Sequence, residues 1–416
     1  MNNLTKSAVI IVALFSSTQA FSQSPPQKLS ADEAIEIALD NNLQLKSRTY
    51  VLESSKALSH SGYELPGTEI GFQYGQFNSI NNDNYFNVEQ TIPMPGYFSA
   101  RSDLYKAQIK GYELQYLTTE HEVRFTIRTA YDQLIYILHS IDELEKLDSL
   151  YLDFVEASTL RHKTGESSLL EKSTAELEHG EIRMHLQKFN SEYQSVYSSL
   201  KMWLHLKDDF EIIPGEEYQP ILLETIFDTT LIANHPSLLS LQQEAVIADA
   251  EVRLQRKSAL PDVAVGYFNQ SIIGPQNVNG SDVNYNGRKR FQGFNVGLTV
   301  PILYTGNKAK IESLTAKQQA VQLEAEYSRE KMQQELYAAF QHYYLSLGEY
   351  QYFKETASLH ATNVLNTANV AYRSGEIGYL EYINALQTVT DTRLSYLDRI
   401  FDLNQKVIYI QFLTQQ

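Results

Sequence analysis

An internal repeat is the feature of this sequence that most restricts its fold. Three short segments recur in the same order in the two halves of the chain. Segments 65–72 and 260–267 share Leu-Pro and then Gly before an aromatic residue. Segments 86–96 and 294–306 share Phe-Asn-Val and Thr-x-Pro. Segments 163–171 and 373–381 share Gly-Glu and Leu-Glu. Ordered matches of this kind indicate that one structural unit has been duplicated.

The repeat divides the chain into four segments. Residues 1–22 are predicted to be a secretory signal peptide, because Lys6 precedes an apolar run at 8–15 and then a group of small residues. That run is too short to cross a bilayer as a helix, which takes ~20 residues. The other segments are a first repeat at 23–207, a connector at 208–231 whose prolines break the helical pattern, and a second repeat at 232–416.

Each repeat is predicted to contain one β-hairpin, at 66–93 and at 261–301. The apolar pattern changes there from the helical period to strict alternation. The apolar face includes Phe86, Val88, Phe294 and Val296, whereas Asn87 and Asn295 lie on the opposite face. Such alternation fits either a half-buried sheet of a soluble protein or a transmembrane barrel, in which the apolar face contacts lipid and the asparagines face the lumen.

A pair of long antiparallel helices is predicted after each hairpin. The first pair spans 97–205 with its turn near 164–166, and the second spans 305–414 with its turn near 374–376. The first helix of each pair has roughly 65 residues, or about 100 Å at 1.5 Å per residue. The predicted fold is therefore mainly α with a β-barrel contribution, a duplicated unit of long coiled-coil helices plus a β-hairpin.

Four strands are too few to close a barrel. The smallest closed barrels need about eight strands, and an open sheet leaves its edge strands unpaired. Cyclic association of identical chains removes such edges. A homotrimer would supply about twelve strands, within the range of outer-membrane barrels.

Taken together, these features resemble the TolC family of outer-membrane efflux channels. The shared features are the signal peptide, the duplicated helix, the Leu-Pro strand, the Phe-Asn-Val-x-x-Thr-x-Pro strand, the long helix and the Gly turn. The resemblance implies a homotrimer with a barrel in outer-membrane lipid and a long periplasmic extension. It also implies docking to a periplasmic adaptor protein and an inner-membrane RND-type transporter. The docking residues would be the helical tips, Lys163, Thr164, Gly165, Glu166, Arg373, Ser374, Gly375 and Glu376.

Two segments have a narrower resemblance. Residues 74–96 and 161–171 are similar to the outer-membrane components of heavy-metal efflux systems of the CusC and CzcC type. The resemblance implies export of heavy-metal cations, and a duct for drugs or for type I protein export is the alternative. Some members of that branch carry a lipidated N-terminal cysteine, whereas this chain contains no cysteine. Metal would therefore pass without thiolate ligands.

The resemblance also implies a constriction at the periplasmic end. Its candidate residues are Glu171, Glu381, Tyr372, His162 and Asn384. Tyr372 matches a tyrosine that, in the family, helps to lock that end. In the first repeat His162 occupies the position of this tyrosine. Asn384 stands where the family can carry a second acidic residue. Symmetry would turn each glutamate into a ring of carboxylates, which favours cations. Solvated glutamates on a helix surface are the alternative.

The remaining residues provide little evidence for chemistry. Glu181 and His185 have the spacing of a helical metal site, but such pairs are usually solvated, so no metal site and no cofactor is predicted. The net charge of −16 argues against nucleic acid, and the one compact basic run is 288–290. That run ends the longer second loop, 274–290. Two alternatives are open for this loop: it contacts anionic lipid, or it is a mobile loop without a role.

Two rival classes of protein remain, a periplasmic coiled-coil structural protein and an exported helical enzyme. An enzyme is not expected, because no set of titratable groups converges at one place in the sequence pattern.

Overall fold

The computed structural model describes residues 27–224, 226–302 and 304–415. The predicted signal peptide therefore lies outside the described residues. In the first repeat the helices are α1 (Ala31–Asn41), α2 (Leu43–Ser59), α3 (Tyr97–Lys163) and α4 (Leu169–Leu204), and the strands are β1 (Gln27–Leu29), β2 (Glu69–Gly75) and β3 (Asp83–Ile92). Strand β4 (Phe210–Ile212) follows α4 and pairs in parallel with β1.

The second repeat has the same order of helix, hairpin and long helix pair, but a single helix stands where the first repeat has α1 and α2, and two short strands are inserted in the hairpin. Its helices are α5 (Pro236–Ser258), α6 (Thr305–Tyr352), α7 (Ser358–Ser374) and α8 (Tyr379–Thr414), and its strands are β5 (Asp262–Gln270), β6 (Gly274–Val278), β7 (Ser281–Tyr285) and β8 (Phe291–Thr299). A π-helical turn, Phe353–Ala357, separates α6 from α7, so the long helix expected from the sequence is interrupted there.

The inserted strands β6 and β7 lie in the second loop, 274–290, for which a mobile loop is one of the two sequence-based alternatives. They form an antiparallel hairpin whose turn is Asn279-Gly280. Both turn residues have positive φ, 53° for Asn279 and 88° for Gly280. Asn-Gly is the residue pair that adopts this two-residue turn most readily. The loop is therefore ordered by its own turn chemistry.

The four long strands make one antiparallel sheet in the order β2-β3-β5-β8. The central pair, β3 with β5, joins the two repeats. The helices that adjoin these strands pack in the matching order, α2 on α3, α3 on α5, and α5 on α6. Towards the far end α3 packs between α4 and α8, and α7 packs on α8. The molecule is thus a four-stranded sheet continued by a layer of long helices.

Three apolar clusters hold the helices together. One lies under α1 and β4 and includes Leu134 and Leu204. The second, around Phe340 and Leu403, joins α6 to α8, and the third, around Tyr151 and Leu386, lies towards the helical turns. Among the helices that the structure describes, none combines the length and the apolar composition needed to cross a membrane.

Candidate functional site

One face of the four-stranded sheet is apolar and uncovered. Cross-strand partners in an antiparallel sheet point to the same side, and Phe72 pairs with Phe86 while Val265 pairs with Val296. Phe294 is 82% exposed and Val296 is 74% exposed. A sheet face this apolar is normally covered by a core, a partner or lipid. Val88, which pairs with Ile70, lies on the same face.

The opposite face carries the two asparagines of the repeated Phe-Asn-Val motif. Asn87 pairs with Gly71 and Asn295 pairs with Gly266. A Cβ atom at Gly71 would lie 2.1 Å from Asn87 Oδ1, and one at Gly266 would lie 2.4 Å from Asn295 Oδ1. Each asparagine amide therefore lies across a glycine on the neighbouring strand. Two of the repeated motifs thus meet in the fold: the glycine that precedes an aromatic residue contacts the asparagine of Phe-Asn-Val in each repeat.

The polar face also places a carboxylate beside this contact. Asn295 Nδ2 donates to Glu89 Oε2 at 3.1 Å. Glu89 is on β3 and Asn295 on β8, so the bond reaches across β5 and links the two repeats. The same face also carries the stacked rings of Tyr85 and Phe268, so it is mixed in character and far less apolar than the opposite face.

The two outer strands of this sheet each have one neighbour. Within the described residues β2 pairs only with β3, and β8 pairs only with β5. Unpaired strand edges expose backbone donors and acceptors that readily pair with another chain. The sheet is therefore open at both sides.

At the far end of the helices, three side chains join the two helical hairpins. Arg161 on α3 and Tyr372 on α7 both contact Glu171 on α4. Arg161 Nη1 lies 3.4 Å from Glu171 Oε1 and donates to the Tyr372 hydroxyl at 2.7 Å, and that hydroxyl donates to Glu171 Oε1 at 3.3 Å. Glu171 is only 8% exposed. We call this set of three residues the tip triad.

An aromatic stack supports the tip triad. Tyr372 stacks on Tyr382 with a centroid distance of 4.4 Å, and Phe154 stacks on Tyr379 at 5.3 Å. Burial, and after it the charge of Glu171, raises the pKa of Tyr372 above its usual value of 10.0. A raised tyrosine pKa keeps the hydroxyl protonated, so its contribution to stability is present below pH 10 and is lost only above it. The hydroxyl therefore remains a donor to Glu171 throughout the neutral range.

The other predicted constriction residues have different surroundings. Glu381 occupies the position that matches Glu171, yet it is exposed, and its Oε2 accepts from Gly378 N at 3.1 Å at the start of α8. Asn384, one turn further along, is also exposed. His162 Nδ1 donates to the carbonyl oxygen of Ser167 at 3.2 Å. The structure thus brings Glu171 and Tyr372 together and leaves Glu381 and Asn384 on a free helix surface.

The helical tips form two similar turns. Gly165 and Gly375 have positive φ values of 81° and 75°, a conformation that favours glycine. Glu166 N donates to Arg161 O and Glu376 N donates to Ala371 O, both at 2.8 Å. The predicted docking residues at these turns are all exposed: Lys163, Thr164, Gly165, Glu166, Arg373, Ser374, Gly375 and Glu376.

The weak metal pattern on α4 lacks further ligands. Glu181 and His185 are exposed, and His179 instead lies 2.9 Å from Asp148 Oδ1 on α3. Across the part of the chain that the structure describes, there is no group of three or more His, Asp or Glu side chains suited to a metal ion. The geometry on α4 therefore supplies two ligands at most.

Sequence reasoning missed a buried polar cluster where the connector meets the helices. Asp132 on α3 accepts from the Tyr218 hydroxyl and from Asn404 Nδ2, both at 3.0 Å, and from Gln405 Nε2 at 2.9 Å. Burial raises the pKa of Asp132. These residues are far apart in the sequence, so no local pattern could have identified the cluster.

Comparison with solved structures decides the fold. A structure of CusC, described by its conformational changes on folding and transmembrane channel formation, superposes with a TM-score of 0.76 at 15% identity over 92% of this chain and 91% of that one. The Campylobacter jejuni CmeC outer membrane channel gives 0.75 at 14%, covering 99% and 94%. The open Neisseria gonorrhoeae MtrE outer membrane channel gives 0.75 at 13%, covering 92% and 88%.

This chain has the TolC-type fold. The resemblance noted in the sequence predicted that fold, and the prediction is confirmed. No protein-family model and no curated protein matches the sequence. At such low identity the TolC-type fold was recognisable because the order and spacing of the short motifs persist, although each motif alone is weak.

Proposed function

We propose that this chain is the protomer of a homotrimeric exit duct in the outer membrane, which serves passively as the last part of a tripartite efflux assembly. One observation carries the proposal: within a TolC-type fold, an open-edged sheet with an uncovered apolar face continues directly into long helices. A duct of this kind performs no bond chemistry. Its work is to connect two aqueous compartments across lipid.

Closure of the sheet supports the trimer. Three copies supply about twelve strands, enough for a barrel in which each β2 edge pairs with a β8 edge of a neighbouring copy. In that barrel Phe86, Val88, Phe294 and Val296 contact lipid, while Asn87 and Asn295 face the water-filled lumen. The helix edges support the same arrangement, because Tyr50 on α2 and Tyr327 on α6 are exposed at the two sides of the protomer.

The helical tips are proposed to bind a periplasmic adaptor protein, through which an inner-membrane RND-type transporter delivers its substrate. The exposed turns at 163–166 and 373–376 offer that adaptor two similar surfaces in each protomer. The tip triad lies beside them and ties the two hairpins of one protomer together. We therefore assign the tip triad the role of holding the periplasmic end closed, and Glu381 and Asn384 the role of lining the constriction.

Fractionation and electrical recording test the duct. The full chain should be found in the outer-membrane fraction as a trimer, and the purified trimer should form ion channels in a planar bilayer. A monomer that is recovered without detergent and gives no conductance would contradict the proposal, and would favour the coiled-coil structural protein.

We further propose that the exported substrates are heavy-metal cations. Support comes from the resemblance of 74–96 and 161–171 to CusC-type and CzcC-type components, and from carboxylates such as Glu89 and Glu381 on the surfaces assigned to the lumen. A deletion strain should become sensitive to zinc, cobalt, cadmium, copper or silver. Sensitivity to drugs and detergents alone would instead identify a drug duct.

A carboxylate variant tests the same proposal in the purified channel. Glu381→Gln retains an oxygen that can accept from Gly378 N but removes the charge. Block of the conductance by divalent cations should weaken in this variant, whereas Glu376→Gln, at an exposed tip position, should behave like the unmodified channel. Equal block in all three proteins would contradict a role for Glu381 in the constriction.

A further inference from the structure

The basic run Arg288, Lys289 and Arg290 lies at the end of the sheet that is remote from the helices, directly before β8. Its backbone is held in a turn by Asn286. The Asn286 side-chain oxygen accepts from Arg288 N, and its carbonyl oxygen accepts from Lys289 N, both at 3.1 Å. The three cations are therefore presented from a formed turn.

Arg290 is seated on the apolar face of the sheet. Its guanidinium donates to the side-chain oxygens of Asn84 and Asn269, and Nη2 also donates to the Asn269 carbonyl oxygen at 3.1 Å. Asn84 lies two residues from Phe86, and Asn269 pairs directly with Phe86, so both asparagines share the face of that aromatic ring. The asparagine oxygens that bind Arg290 thus lie immediately outside the apolar band of the sheet.

The charge of this run is not compensated by protein carboxylates. Among the described residues, no Asp or Glu oxygen lies within 4.0 Å of the side-chain nitrogens of Arg288, Lys289 or Arg290. Asp83, which begins β3 at the same end, is fully buried and accepts from Ser271 Oγ at 2.9 Å and from Ile273 N at 2.8 Å. All the acceptors that hold Arg290 are neutral amides.

The distance of the basic run from the helix-side end of the sheet matches the height of the apolar band of an outer-membrane barrel. Strand β8 has 9 residues. At ~3.3 Å per residue and the usual strand tilt of a barrel, it rises about 23 Å from its helix-side end to Arg290. The apolar band of an outer-membrane barrel is itself about 25 Å tall. Arg290 and its two neighbours therefore stand at the level of the outer-leaflet headgroups.

From this placement we infer that Arg288, Lys289 and Arg290 form a binding site for the phosphate groups of outer-leaflet lipid headgroups. The exposed Arg288 can bind phosphate through two parallel N–H groups, and the exposed Lys289 adds a mobile point charge. Arg290 already donates from all three of its nitrogens to asparagine oxygens and adds its positive charge to the site. The inference rests on the proposed function, because only membrane insertion brings a leaflet to this end of the sheet. It assigns a specific ligand to the second hairpin loop.

A lipid titration tests the site. The detergent-solubilised full-length protein is titrated, with native mass spectrometry as the readout, with diphosphorylated lipid A, with the same lipid after removal of its phosphates, and with inorganic pyrophosphate. The phosphorylated lipid should bind at least about tenfold more tightly than the dephosphorylated lipid. Raising the salt concentration should weaken that preference, because exposed charge pairs are screened.

A pair of matched variants locates the effect. Arg288→Gln with Lys289→Gln removes two exposed cations at the outer end, and Lys308→Gln with Lys310→Gln removes two exposed cations on α6. The first double variant should lose about tenfold or more in affinity for the phosphorylated lipid, and the second should change it by less than about twofold. Both should conduct like the unmodified channel.

Three results would overturn the inference: equal binding of both lipids, equal losses in the two double variants, or pyrophosphate binding as tightly as the lipid with the same dependence on residues 288 and 289. The last result would identify a site for free phosphate. None of these results bears on the duct itself, which is tested separately by trimer formation and conductance.

Discussion

Glycine at positions 71 and 266 leaves room for an asparagine on the neighbouring strand. Asn87 and Asn295 lie across these glycines, and any larger residue would force the amide away from its place. Gly297, on the same sheet, has Ala264 Cβ at 3.8 Å as its nearest neighbour and no such restriction. The two kinds of glycine therefore respond differently to the same substitution.

We expect Gly266→Ala to destabilise the protein by about 1–2 kcal/mol, because the new Cβ displaces the Asn295 amide and its hydrogen bond to Glu89. Thermal unfolding of the detergent-solubilised trimer measures this. The penalty should disappear when Asn295→Ala is also present, since the two residues act as one contact. Gly297→Ala should be neutral or slightly stabilising, and an equal loss there would contradict the argument.

Because His235 is buried with a lowered pKa, we expect the stability of the protein to depend on pH. The Nδ1 atom of His235 accepts from Ser237 N at 3.3 Å, and burial, followed by the nearby His121, lowers the pKa of His235 from 6.5 to about 4. The folded state thus favours the neutral ring. The stability that this provides is fully present above pH 6.5 and is lost as the pH falls towards 4.

We therefore expect the melting temperature to fall with pH from 6.5 to 4, and to fall less steeply in His235→Asn. Asparagine retains an oxygen that can cap α5 but does not titrate. Comparison with His360→Asn, an exposed position on α7, removes the contribution of other titrating groups. Parallel pH profiles for the two variants would show that His235 is not responsible.

At the scale of elements, the tip triad is a polar contact between the two helical hairpins close to their turns. Tyr372→Phe removes the hydroxyl that accepts from Arg161 and donates to Glu171, while the ring can still stack on Tyr382. We expect the single-channel conductance of the variant to exceed that of the unmodified channel, because the polar tie between the ends of the two hairpins is lost and only apolar contacts join them there.

Tyr382→Phe is the matched control for this prediction. Its hydroxyl donates to Asn369 Oδ1 at 2.8 Å, a bond within one hairpin. The control removes a hydroxyl from the same aromatic stack without untying the hairpins. Equal conductances in the two variants would mean that the tip triad does not hold the end closed.

The sequence predicted those elements whose pattern is local. Alternation revealed the strands, and three-four spacing revealed the helices, because each depends on neighbours along the chain. The contact of Arg161 with Glu171 depends on how α3 packs against α4, so Glu171 and Glu381 looked equivalent in sequence and differ in the fold. The Asn279-Gly280 pair is a local turn signal in the sequence, whereas the π-helical turn at Phe353–Ala357 has no local signal that we recognise.

For the molecule as a whole, the open sheet is an incomplete structure. An apolar face of this kind in water, with an unpaired strand at either side, would promote aggregation. Three copies arranged around an axis satisfy both edges and leave only the apolar face, which lipid can cover. In the proposed trimer the long helices would continue the wall of the barrel, so the same duplication would supply both parts of the proposed duct.

Site-directed labelling of the sheet tests this account most directly. The sequence contains no cysteine, so single cysteines at 87, 88, 295 and 296 can each carry one spin label in the protein reconstituted in lipid vesicles. Labels at 88 and 296 should be relaxed by oxygen dissolved in lipid, and labels at 87 and 295 by a water-soluble nickel complex. Access of the nickel complex to all four positions would contradict a barrel whose apolar face contacts lipid.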